Sequence, residues 1–401
     1  MTILHVVAGL PPEGGGLSEL VPGFCRGLSE AGCVVHLATL DGPLAGTVAH
    51  ARDAGVITHL FRPDFRHTIL YSDALRRELP ALVRQVDLVH VHSNWTFPVW
   101  WACHTALHQR KPLVMSPQGC LFPERLRRSR GRKYLAGVCF DNRYLRRAAC
   151  LHATAASERD AFRAYGLDGP VAVIPNGVDT EAFDGPGDGS DFRARFSTCG
   201  DKRLLLYLSR LDPIKGLDLL IAAWTRLATQ FPAWHLVIAG PDERRCEAIA
   251  RGALRSAGRE ESVTFCGPLY GADRLDALRA CELFVLPSRN ENFGIAVAEA
   301  AYVGRPVITT HGMPWDGLTS RGAGWWVPAD AEGLHVALAE ALALDAAALR
   351  AMGARGRVWV EQEFTWPRIG RQMLDVYQWI LGRGERSECV RVISPGGQRR
   401  G

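Results

Sequence analysis

The stretch SRNENFGIAVAEA (288–300) sets two carboxylates, Glu291 and Glu299, on either side of Phe293 and Gly294. On one regular helix, residues at that spacing lie about 12 Å apart along the axis and roughly 80° apart in azimuth. Such a separation excludes a dyad sharing one proton and suits the two ends of an extended ligand. Each carboxylate accepts hydrogen bonds from adjacent hydroxyls, so a diol is a natural occupant at either end. A helix is expected to start near Phe293-Gly294. Helix starts present unpaired N–H groups and partial positive charge, which favour a phosphate, and Gly294 lets an anion approach closely. Asn292, Phe293 and Ile295 flank that point and are expected to line it.

Two cations accompany the carboxylates. YLSRLDPIKG (207–216) carries Arg210 and Lys215, well suited to neutralising a diphosphate leaving group, a task otherwise often given to a metal ion. No D-x-D-like acidic motif stands in a comparable position, so neither a metal nor a cofactor is expected. Near the N-terminus, GLPPEGGGLSELV (9–21) forms a glycine turn before a helix. It does not complete G-x-G-x-x-G, because Glu19 stands where the third glycine belongs, and no acidic residue closes the strand CVVHLAT (33–39). His90 and His92 alternate on one strand and share a face. His92, at the strand end, is expected to line a cleft, and His90 to pack in the core.

These side chains need a scaffold that brings loops together. Strand patterns occur at 3–8, 33–39, 56–61, 87–92, 112–116, 150–155 and 171–175, with amphipathic helices between most of them, including 17–31 and 72–84. EAFDGPGDGSDF (181–192) interrupts the rhythm as a linker. It restarts at 203–209, 234–240, 262–267, 282–288 and 305–310, in near-continuous apolar runs typical of strands buried on both faces. Strands alternating with helices imply parallel winding. The expectation is an α/β protein of two doubly wound, Rossmann-like domains facing across a cleft, with ligands outside the carboxyl ends of the strands. Residues 1–183 form the first domain and 184–365 the second. A final helix, 366–382, packs back on the first domain, and 383–401 is a disordered tail.

Composition sets the outer bounds. A chain of 401 residues exceeds a comfortable single core, and 47% hydrophobic with 22% charged residues is ordinary for a globular protein. The N-terminus lacks a basic region before its first apolar run, unlike a signal peptide. Eleven cysteines without a C-x-x-C pair favour neither disulfides nor zinc, so a reducing cytoplasm is expected. The net charge of +5 is uneven: segment 124–147 alone holds +7. That segment reads either as a solvated helix face or as a docking surface for an anionic membrane. No nucleic-acid recognition motif accompanies the charge.

Beyond these readings, SRLDPIKGLDLLIAAW (209–224), FCGPLYGADRLDALRACELFVLPS (265–288) and NENFGIAVAEAAYVGRPVI (290–308) resemble the donor domain of retaining GT-B glycosyltransferases of family 4, the glycosyl transferases group 1 set. IPNGVD (174–179) is similar to the same family, and the resemblance runs from the glycine turn to the final helix. It implies transfer of a sugar from a nucleotide-sugar donor to a glycan or lipid-linked acceptor, as in cell-surface polysaccharide synthesis. In that family the first glutamate contacts the donor sugar and the second the ribose, while an Arg and a Lys hold the diphosphate. Arg210, Lys215 and Glu291 are then the catalytic candidates, with Glu299 on the ribose and Gly15 and Gly16 beside the diphosphate. The loop VMSPQGCLFPERLRR (114–128) offers Gln118 where many members carry a histidine near the sugar. Gln118 donates a hydrogen bond but is no base at neutral pH. The resemblance also implies that the departing phosphate oxygen itself takes the acceptor's proton. A cytoplasmic protein follows, with peripheral attachment at the inner face of the plasma membrane as the membrane reading. Two rivals stay open on these residues: a nucleotide-sugar epimerase or hydrolase of the same fold, and a non-catalytic nucleotide-sugar binder.

Overall fold

A computed structural model describes residues 1–11, 16–42, 46–64, 70–127, 142–185 and 187–392. They form two compact units, Met1–Gly177 with Phe364–Gly401, and Val178–Glu363.

Unit 1 is built on an eight-stranded sheet. Its strands are β1 (Thr2–Val6), β2 (Val34–Leu40), β3 (Ile57–Phe61), β4 (Leu88–His92), β5 (Leu113–Ser116), β6 (Cys150–Ala153), β7 (Val171–Val173) and β14 (Val390–Arg391). The order is β14-β7-β6-β5-β4-β1-β2-β3, with every pairing parallel except that of β14 with β7. The chain winds outward from β1 to β3, returns across β1 to β4, and winds outward the other way. Every residue of β4 is buried because helices cover both faces. On one face Val89 and Val91 meet Leu75, Leu79 and Val83 of the helix Asp73–Gln85 and Val99 and Ala102 of the helix Phe97–His108. On the other face His90 and His92 lie beside Phe24 of the helix Gly16–Glu30.

That helix is clamped by the final one, Trp366–Ile380. The buried Trp366 ring fills a notch in which any Cβ on Gly23 or Gly177 would fall within 2.5 Å of it. The backbones themselves meet at Gly27 and Gly370, where a Cβ on Gly370 would stand 2.2 Å from the Gly27 carbonyl oxygen. After this helix the chain departs from the disordered tail expected over 383–401. Arg383 pairs with Asp87 at 3.2 Å, and Val390 is buried where β14 extends the sheet edge. The unpaired edge of β7 offers backbone groups that a short strand satisfies, even within a polar sequence. Residues 393–401 lie outside the described residues.

Unit 2 carries β8 (Arg203–Leu208), β9 (Trp234–Ala239), β10 (Val263–Gly267), β11 (Leu283–Leu286), β12 (Val307–Thr310) and β13 (Gly324–Val327), all parallel, in the order β10-β9-β8-β11-β12-β13. The winding reverses between β8 and β11. Each unit thus has one switch point, between β1 and β4 and between β8 and β11, where loops at the carboxyl ends of neighbouring strands diverge and leave room for a ligand.

Candidate functional site

Arg210 and Lys215 follow β8, and Glu291 to Gly294 follow β11, so the switch point of unit 2 receives both motifs. Asp212 caps the short turn Pro213–Lys215 by accepting from the Ile214 N–H at 3.0 Å. Gly216 then turns left-handed at φ 72°, and a Cβ there would stand 2.0 Å from the Pro287 carbonyl oxygen, so the two loops touch backbone to backbone. Hydrogen bonds stitch the contact. The Arg289 N–H donates to the Ile214 carbonyl at 2.7 Å, and its guanidinium grips both carboxylate oxygens of Asp218 at 2.8 and 2.7 Å. Those bonds hold the Asp218 carboxyl below the usual carboxylate range. From the β12 side, the Glu291 N–H donates to the Gly312 carbonyl at 2.9 Å. Bonds within the protein hold both loops in place.

On this frame Lys215 and Glu291 form an ion pair, each side chain only 11% exposed. Gly294, at φ 85°, caps the helix Ile295–Tyr302, whose first N–H groups have no intrahelical acceptor. The Phe293 ring is buried against Trp315, whose indole N–H donates to the Phe293 carbonyl at 2.5 Å. Glu299 sits in the same helix at 4% exposure and is paired with Arg274, from the helix Gly271–Ala280. Arg210 is exposed and makes no ion pair among the described residues. The structure therefore brings Lys215, Glu291, Asn292, Phe293, Gly294, Ile295 and Glu299 to one strand-end region, with Arg210 on the loop beside them. The arrangement suits an elongated anion with hydroxyl groups at both ends.

Unit 1 treats its candidates differently. Gly16 opens the helix Gly16–Glu30 beside its switch point, and Gly15 lies outside the described residues. His92 does not line an accessible surface: at 2% exposure its ring stacks on His5 and His90 under Phe24. Helices cover both faces of β4, and Phe24 lies over the even one, so a histidine at the strand end is covered as well. His5 Nδ1 and His92 Nε2 are 2.9 Å apart, and a buried chain runs from Tyr377 through His90, Ser116 and His152 to the Ile174 carbonyl. Gln118 is half-buried in the loop after β5 at φ 52°. Its neighbour Gly119 donates to the fully buried Glu158 at 2.5 Å, and Thr154 donates to the other oxygen through N–H and hydroxyl. Burial pushes the Glu158 carboxyl up despite these bonds. After β4, Ser93 and Trp95 are also left-handed, and between them Asn94 is buried with neither side-chain atom bonded.

Sequence reasoning missed Arg274, the Arg289–Asp218 clamp, Glu158 and Asn94. Arg274, the Arg289–Asp218 clamp and Glu158 depend on partners contributed by other elements, and no local spacing marks them or the buried Asn94. The basic segment 124–147 survives here only as its ends, the helices Pro123–Arg127 and Asn142–Arg147, because 128–141 lie outside the described residues. Among the described residues no helix is long and apolar enough to cross a membrane.

Comparison with known proteins agrees with this architecture. Residues 14–182 match the family described as Glycosyltransferase Family 4, and residues 202–344 match Glycosyl transferases group 1. The chain is 29% identical over 403 residues to a GDP-mannose:cellobiosyl-diphosphopolyprenol alpha-mannosyltransferase of Xanthomonas campestris, covering 98% of this chain and all of that one. It is 29% identical over 337 residues to a D-inositol 3-phosphate glycosyltransferase of Kineococcus radiotolerans, covering 78% and 75% of the two chains. The crystal structure of Anabaena HepE in complex with UDP and glucose superposes with a TM-score of 0.74 at 19% identity, covering 94% of this chain and all of that one. Two parallel-sheet units, two family matches and relatives of this kind place the chain among the GT-B glycosyltransferases of family 4, the glycosyl transferases group 1.

Proposed function

We propose that this glycosyltransferase moves a sugar, with retention of anomeric configuration, from a nucleotide-sugar donor to a glycan or lipid-linked acceptor in the assembly of cell-surface polysaccharide. The observation that carries the reading is the Lys215–Glu291 pair beside a helix start at the β8/β11 switch point, with Glu299 further along the same helix. The bond that breaks joins the anomeric carbon to the terminal phosphate oxygen, so negative charge gathers on the diphosphate. Lys215, Arg210 and the N–H groups at the helix start are the groups to meet it, preorganised by the stitched loops. Glu291 accepts hydrogen bonds from the donor sugar's hydroxyls and Glu299 from the ribose. Lys215 and Glu291 satisfy each other across the two loops. The diphosphate and the sugar hydroxyls replace that pair, so neither charge is left bare. In same-face transfer the leaving oxygen takes the acceptor's proton, and positioning replaces a protein base. Metal-independent transfer follows from the two cations at the diphosphate. A lipid diphosphate acceptor fits the name of the Xanthomonas relative, and a nucleotide-sugar donor fits that name and the UDP and glucose in the HepE crystals.

Lys215→Ala is the direct test. Transfer is expected to fall by about 100-fold or more, the usual consequence of removing one group that stabilises the transition-state charge. Nucleoside-diphosphate binding should weaken with it. Unchanged turnover with the best donor found among UDP-, GDP- and ADP-sugars would sink the assignment.

A further inference from the structure

Glu299 is held in an unusual way for a ligand-binding carboxylate. Its side chain is 4% exposed, Arg274 donates to Oε1, and Oε2 is buried with no partner. A carboxylate at that depth persists as an anion only beside a cation with good hydrogen bonds. The cation comes from a separate helix, Gly271–Ala280, so the pair is a tertiary contact and not an accident of neighbouring residues on one helix. A carboxylate offers about four lone-pair positions, so one guanidinium N–H on Oε1 leaves Oε2 free to accept.

We propose that Arg274 is a positioning residue for the donor's ribose: it keeps Glu299 ionised and turned so that Oε2 is reserved for the ribose hydroxyls. The proposal rests on the reading of Glu299 as the ribose contact. Arg274 stays paired when the donor binds, because breaking a buried Arg–Glu pair to gain two hydroxyl bonds would forfeit what the bonds supply. Arginine also suits the role better than lysine, since its guanidinium stays charged and its rigid plane fixes the direction of the N–H that Oε1 accepts.

Calorimetric titration of the full chain with UDP, GDP, ADP and their 2′-deoxy counterparts separates the possibilities. A hydrogen bond to a charged acceptor corresponds to a preference for the ribonucleotide of about 10- to 100-fold in the wild type. Glu299→Gln should reduce that ratio to about two- to tenfold, as expected for a neutral acceptor. Arg274→Ala should reduce it comparably, and Arg274→Lys should recover part of it. The ratio is taken on one protein sample, so a variant that is merely less stable leaves it unchanged. A wild-type ratio retained in Arg274→Ala, or tighter ribonucleotide binding there, overturns the role of Arg274 while Glu299 stands. A wild type without preference, or one that binds none of these nucleotides, overturns the ribose reading of Glu299 and the proposal together.

Discussion

At the scale of single residues, Gly294 shows why the glutamate pair could be read from sequence and its partners could not. Its φ of 85° and ψ of 68° turn the chain from the β11 loop into the helix. A Cβ would meet Met313 Cε at 2.2 Å, but that is the end of a flexible side chain and can move. The left-handed backbone cannot relax in the same way. Gly294→Ala is therefore expected to cost about 1–2 kcal/mol of unit 2 stability, the usual strain of an L side chain in that region. It should also raise the donor KM several-fold, because the shifted backbone withdraws N–H groups from the phosphates. Urea titration and steady-state kinetics check the two effects, and an unchanged KM would mean that the helix start does not touch the donor. The glutamates were legible because they share one short segment with this glycine. Arg274 was not, since only the packing of two helices brings it to Glu299. His92 ends its strand yet is buried, because the helix Gly16–Glu30 covers that face and sets Phe24 against its ring.

Between elements, the clamp of the first helix by the last shows a backbone contact that sequence periodicity does not encode. The strands were readable as apolar runs, and their alternation with helices gave the parallel winding. Gly324–Val327 and Val390–Arg391 are too short and too lightly patterned to stand out, and the second exists only because β7 presents an open edge. The glycines that admit Trp366 carry no local signal either. A Cβ on Gly27 would lie 2.2 Å from the Trp366 carbonyl oxygen and 2.7 Å from its carbonyl carbon. Neither atom can retreat without moving a helix. Gly27→Ala should therefore destabilise unit 1 by about 1–3 kcal/mol, as overpacking does. Gly252 provides the contrast, being an exposed helical glycine in Cys246–Ser256 with nothing within 4 Å of its Cβ position. Gly252→Ala should stabilise its helix by about 0.5–1 kcal/mol through lost unfolded-state entropy. Hydrogen exchange resolved over 16–30, 366–380 and 246–256 reads both. Equal effects of the two substitutions would refute the clamp.

Across the whole molecule, the two units are expected to respond differently to acid. Burial lowers the pKa of His5 to about 3 and of His152 to about 4, and holds His90 and His92 well below the usual 6.5. The cluster draws on β1, β4 and β6, so only the strand order reveals it; His90 and His92 were the part visible in sequence. Unit 2 holds one comparable imidazole, His235, lowered to about 4. An imidazole of this kind is neutral in the folded protein and takes a proton only on unfolding. Stability therefore falls as pH drops through 6.5, and it stops falling near the folded pKa. Between pH 7 and 5 the linkage is about 2 kcal/mol for each such group. Glu158 works in the opposite direction, since a raised carboxyl favours the folded state as pH falls, but it is one group against four. Unit 1 should accordingly lose protection first on acidification. The check is hydrogen exchange at pH 7 and pH 5, corrected for intrinsic rates, comparing peptides over β1 and β4 with peptides over β8 and β11. Equal loss in the two sets would mean that the buried histidines do not govern the acid limit. A larger loss over β1 and β4 would mean that acid disarms unit 1 while the Lys215–Glu291 frame in unit 2 still stands, so transfer would fail before nucleotide binding does.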